Sequence, residues 1–173
     1  GACSEVIGNT VQDAGIYNGE FSHGIAFDSH GHLHQGHSNL IKNNRIINAR
    51  CAGIEIADGQ DQMSIIGNTI DNSGREASMR PDQYGIYFGG SLSQSYECLI
   101  QGNTVKKTAN TGIRIDAPHP EQAAPILDAD GELTNPFGPT SHVEIIDNTV
   151  KDSNHYGIEL GYVRNIFVSG NTI

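Results

Sequence analysis

Aliphatic residues recur along this chain at fixed distances from a repeated asparagine. The phrase Gly67-Asn68-Thr69-Ile70 returns as Gly8-Asn9-Thr10-Val11, Gly102-Asn103-Thr104-Val105, Asp147-Asn148-Thr149-Val150 and Gly170-Asn171-Thr172-Ile173, with Asn43-Asn44-Arg45-Ile46 as a weaker copy. Three residues before each asparagine stands Val6, Ile41, Ile65, Ile100, Ile145 or Val168; two after it stands Val11, Ile46, Ile70, Val105, Val150 or Ile173. A second phrase, Gly-Ile-x-apolar, begins at Gly24, Gly53, Gly85, Gly112 and Gly157. Such self-similarity marks a repeat architecture. Brief period-2 alternation bounded by Gly and Asn predicts short strands, and no run is periodic enough for a helix.

Two of the asparagine intervals, Asn44 to Asn68 and Asn148 to Asn171, are 24 and 23 residues. The others are longer by polar, Gly/Pro-rich loop. A constant unit with variable insertions predicts an all-β solenoid: a parallel β-helix of five to six coils, three short strands each. The asparagine is expected to take the left-handed turn and to stack its amide on the next coil. One domain, 1–173, carries insertions at 12–23, 29–37, 71–83 and 117–140. The chain begins partway into a rung and stops inside a repeat without a visible cap, so a fragment of a longer β-helix is expected.

Pleating assigns the faces. In the Gly-Ile strands Ile25, Ile54, Ile86, Ile113 and Ile158 point inward, so Ala26, Glu55, Tyr87, Arg114 and Glu159 point outward. Equivalent positions stack, which makes these five one row, with Asp28 and Asp116 in the next row and Asp58 near it. A solvated strand face is ordinarily polar. This one is flanked by every long insertion, which would wall a groove.

Composition adds limits. The net charge of −10 argues against a nucleic-acid or anionic-membrane partner, and no apolar run is long enough to span a bilayer. Cys3, Cys51 and Cys98 lack metal-ligand spacing, and Cys98 occupies the core slot of Met63 and Val143. The insertion Ser29–His37 holds His30, His32, His34 and His37, with His23 before the same strand. Alternating histidines can present imidazoles to a metal, transfer protons, touch a glycan, or simply keep a surface loop polar. Asp28 beside His30 suits proton transfer near neutral pH.

The rungs resemble the right-handed parallel β-helix proteins of the pectate-lyase superfamily, which include polysaccharide lyases, polygalacturonase-type hydrolases, mannuronan C-5 epimerases and tailspike depolymerases. Phe27-Asp28-Ser29-His30 resembles the Phe-Asp-Pro-His stretch of the epimerases, with Ser29 in place of the proline and Ile25 where that family has a tyrosine. The resemblance implies an extracellular, cell-surface or virion protein that acts on a uronic-acid polysaccharide by proton abstraction. By the resemblance Asp28 and His30 would be catalytic; the outward row adds Tyr87 as a second candidate for proton transfer and Arg114, or Arg80, as the cation holding the substrate carboxylate. Glu55, Arg80, His32, Asp116 and His23 would bind substrate. No motif fixes a cofactor; Ca2+ stays open. A tailspike-like chain would be a homotrimer. The competing readings are a non-catalytic glycan-binding or structural β-helix and a glycoside hydrolase. For the hydrolase, Asp28 and Asp58 are the nearby aspartate pair.

Overall fold

The computed structural model describes residues 3–15, 22–28, 38–57, 60–75, 83–89, 95, 97–116 and 140–173. All regular structure among them is β, wound into three large parallel sheets and a small fourth. The first sheet stacks Glu5–Ile7, Leu40–Lys42, Ser64–Ile66, Leu99–Gln101, Glu144–Ile146 and Phe167–Ser169. The second stacks Thr10–Gln12, Arg45–Ile47, Thr69–Asp71, Thr104–Lys106 and Thr149–Lys151. The third stacks the Gly-Ile strands Ile25–Asp28, Ile54–Ala57, Ile86–Gly89, Ile113–Ile115 and Ile158–Leu160. Three insertion boundaries shift, because Gln12, Asp71 and Thr140 belong to strands. Thr140–Ser141 pairs with Val163–Arg164 in a small fourth sheet that the sequence reading lacked.

Every coil repeats the same inward aliphatics, so only one register buries them all. Ile41, Ile65, Ile100 and Ile145 form one fully buried column, and Ile54, Ile86 and Ile113 another. Each such side chain contributes roughly 1.5–3 kcal/mol on leaving water. Ile25 is buried as expected, while Ile158 packs against the core half-buried.

The asparagine ladder has a direction. Asn44 donates from its backbone N and its Nδ2 to Asn68 Oδ1, at 2.9 and 3.0 Å. Asn68 does the same to Asn103, Asn103 to Asn148, and Asn148 to Asn171. The Nδ2 of Asn68 also reaches Ile41 O, at 2.9 Å. The left-handed residue is the one before the asparagine, contrary to expectation: Gly8, Asn43, Gly67, Gly102, Asp147 and Gly170 have φ between 54° and 68°. The asparagine stays in ordinary backbone space, which aims its amide along the stack.

Two further corners are left-handed without glycine. Asp13, Asn48, Asn72, Lys107 and Asp152 hold one; Ser38, Gln62, Glu97, His142 and Asn165 hold the other. Each such residue costs roughly 1–2 kcal/mol of backbone strain, offset at the first of these corners by N–H bonds to the next coil, such as Asn72 N to Lys106 O at 3.0 Å. The glycines of the Gly-Ile phrase serve space instead. A Cβ at Gly85 would lie 2.2 Å from Val105 Cγ1 and 2.5 Å from Gly112 O.

Candidate functional site

The third sheet builds the outward row that pleating predicted. Ala26 pairs with Glu55, Glu55 with Tyr87, Tyr87 with Arg114 and Arg114 with Glu159. The adjacent row runs through Asp28, Ala57 and Gly89, and Asp116 N bonds to Phe88 O at its far end. Two small residues thus sit between Asp28 and Asp116, a gap the sequence reading did not use.

Arg114 is the hub. Its Nη1 donates to Glu159 Oε1 at 3.0 Å and to the Tyr84 hydroxyl at 3.1 Å; its Nη2 donates to Asp116 Oδ2 at 2.8 Å. Its Nε is buried without a hydrogen-bond partner, and its guanidinium carbon lies 5.4 Å from the Tyr84 ring centre. Burial pulls the Arg114 pKa down, but the hydrogen bond to Asp116 and the charges of Tyr84, Glu159 and Asp116 outweigh it, so the net shift is upward. The carboxylates are themselves held: Thr111 Oγ1 donates to Glu159 Oε2 at 2.9 Å, and Tyr162 N to Asp116 Oδ1 at 3.1 Å. Gly161 makes room for Asp116, since a Cβ there would lie 2.3 Å from Oδ1.

Tyr87 leans along its strand. Its ring packs on Tyr84, with centres 4.9 Å apart, and lies across Gly89, where a Cβ would meet the ring at 2.2 Å. The residue stays half-buried.

His23 enters from the first coil. Its Nε2 is 2.7 Å from Glu55 Oε2, with the side chains 4% and 15% exposed. Neither ring nitrogen completes an in-line hydrogen bond, so the contact is electrostatic. Both ring nitrogens are buried without a hydrogen-bond partner.

Of the residues singled out from the sequence, the structure brings Arg114, Asp116 and Tyr87 together at one end of the row, and His23 and Glu55 at the other. Asp28 lies in the row beyond Ala26 by its backbone. His30, His32, Arg80 and Asp58 lie outside the described residues. Tyr84, Thr111 and Gly89 were missed. The signal for Gly89 was available: it follows Tyr87 by two, on the same face. Among the described residues, no three His, Cys, Asp or Glu side chains are grouped to hold a metal ion.

The right-handed β-helix region model matches residues 2–173. This chain belongs to the right-handed β-helix family. No curated protein and no solved structure matches it. The β-helix match specifies the coil and its hand, while chemistry depends on the side chains displayed. In this β-helix two clefts lie away from the Arg114 hub. One, of about 400 Å³, is lined by Val150, His155, Gly157 and Ile173 on the last coil. The other, of about 440 Å³, is lined by Arg75, Lys107 and Asp152.

Proposed function

We propose that this β-helix acts on a polysaccharide laid across the outward face of the third sheet, by proton transfer at Glu55. The observation that carries this reading is the His23–Glu55 pair. A partly exposed carboxylate braced by an imidazole 2.7 Å behind it has the geometry of a proton-transfer group held in place from the core side. Glu55 lies on the outward face of the third sheet; the His23 side chain, almost wholly buried, supports it from behind. Coils about 4.8 Å apart give a polymer several equivalent steps along which to lie. Lyase and epimerase chemistry also wants a cation against a uronate carboxylate, and Arg114, two positions along the same outward row from Glu55, is the described cation that could take that role. Hydrolysis wants a proton donor and a second carboxylate; Glu55 is the donor of this reading, and Asp116 and Glu159, each bonded to Arg114, are the other carboxylates of the same face.

The test is incubation with neutral and uronic-acid polysaccharides, reading reducing ends for hydrolysis, ultraviolet absorbance for an unsaturated lyase product, and C5 proton exchange for epimerisation. Glu55→Gln is expected to cut turnover by about 10²–10⁴-fold with an unchanged melting curve. His23→Gln is expected to lower turnover and move its pH profile while leaving KM near that of the parent protein. Full turnover in Glu55→Gln removes the assignment. Binding without any product reduces the face to a recognition surface.

A further inference from the structure

We infer that the cleft at the corner between the second and third sheets is a subsite for the anionic group of an acidic glycan, a sugar carboxylate or sulfate ester. The inference rests on the polysaccharide reading above for its kind of ligand, and adds a site outside the third-sheet face. The cleft has a volume of about 440 Å³, within the range of small-ligand sites. Three successive coils line it, through Asn72 and Arg75, through Lys107, and through Asp152 and Asn154. The strands leading into it end in Asp71, Lys106 and Lys151. Among the described residues this corner therefore gathers Arg75, Lys106, Lys107 and Lys151 against the carboxylates of Asp71 and Asp152, in a chain of net charge −10.

Lys107 is the residue that points to a ligand. Its phase in the coil belongs to a second amide ladder: Asn72 Nδ2 donates to Asn48 Oδ1 at 2.7 Å, and Asn48 Nδ2 to Asp13 Oδ1 at 2.8 Å. Asp13, Asn48, Asn72 and Lys107 all take positive φ, 52° at Lys107. Asparagine tolerates that backbone and would carry the ladder on to Asn72; lysine suits neither. The fold asks for asparagine here, so the positive charge needs another reason. Nor is the ammonium committed elsewhere. Its ion pair with Asp71 Oδ1 is 3.7 Å long, on a lysine side chain 63% exposed, and such surface pairs are weak. Arg75 is exposed and makes no hydrogen bond or ion pair with the described residues, although Asp13 at the same corner feels its charge. An oxyanion in this cleft meets two cations from adjacent coils. Asp152 and Asn154, both exposed, supply a carboxylate and an amide for sugar hydroxyls.

The experiment is titration calorimetry of the whole chain with oligogalacturonate, sulfated galactan and neutral galactan of matched length, at low and high salt. An anionic glycan is expected to bind more tightly than the neutral one and to weaken as salt rises; which of the two binds separates carboxylate from sulfate. Arg75→Gln and Lys107→Asn are each expected to weaken that binding about three- to tenfold, and the double variant about tenfold or more. Lys107→Asn is also expected to keep or raise the melting midpoint, because its amide resumes the ladder. Asp152→Asn is expected to tighten anionic binding, by taking a like charge out of the cleft. A lower melting midpoint in Lys107→Asn overturns the argument from that residue. Equal or tighter binding of neutral galactan overturns the corner subsite, as does anionic binding unchanged in the folded double variant; both leave the reading at Glu55 intact. Binding lost in the double variant, with no polysaccharide turned over by the parent protein, keeps the corner subsite and removes the catalytic reading. Failure of all three glycans to bind also overturns the subsite.

Discussion

Asn103 shows why one side chain can carry a coil. It donates to Asn148 Oδ1 from N and Nδ2, donates to Ile65 O, and accepts from N and Nδ2 of Asn68. Asn103→Ala orphans buried groups on both neighbouring coils and is expected to cost about 1–3 kcal/mol or more in urea melts. Asn9→Ala, at the exposed first coil, is expected to cost less than about 1 kcal/mol. Cys98 offers a test with pH. Burial pushes its thiol up to about 12, helped by the charges of Asp61 and Glu97 and opposed by a hydrogen bond with the Met63 backbone. The unfolded chain releases this proton near pH 8.5–9, so between there and about 12 the folded state binds more protons and stability falls as pH rises. The slope is about 1.4 kcal/mol per unit. Cys98→Val, matching Val143 in the next coil, should flatten the decline between pH 9 and 10.5 in denaturant titrations. The role of Asn103 was legible because asparagine recurs at one phase. The left-handed corners were not, because Lys107, Glu97, His142 and Asp13 share a backbone angle and no chemistry.

Strands carry the next level. Parity placed Glu55, Tyr87 and Arg114 on one face correctly, since a two-residue period leaves no freedom once Ile54, Ile86 and Ile113 are inside. It could not say what those side chains touch. Glu159, outward by parity, is held by Thr111 Oγ1 and Arg114 Nη1 from two other positions of the neighbouring coil. Tyr84 was passed over because it precedes the Gly-Ile phrase, yet it is buried and receives Arg114 Nη1 at 3.1 Å. The glycine opening each phrase is also explained at this scale: neighbouring coils approach too closely for a side chain. Gly85→Ala must displace Val105 and the Gly112 carbonyl. A loss of about 1–3 kcal/mol is expected by thermal melting, whereas Gly102→Ala meets no atom within 4 Å and is strained only by its φ of 62°.

For the whole molecule, coil count and stacking followed from the repeat, and the sheets came out as three with a small fourth at Thr140–Ser141. The site was only half legible, because its members come from separate coils and their contacts depend on rotamers. The ladder itself is indifferent to what lies between its rungs. Asn44 and Asn68, 24 residues apart, make the same bonds as Asn103 and Asn148, 45 apart. An insertion or deletion between rungs therefore leaves the shaft's hydrogen bonds untouched. A lineage built on such a chain can lengthen, trim or exchange a loop in one genetic event and keep a folded product, while a shift of one residue inside a rung is lethal to it. Novelty in this architecture should accumulate as changes of loop length around the third sheet, and inheritance should be strictest at the asparagines.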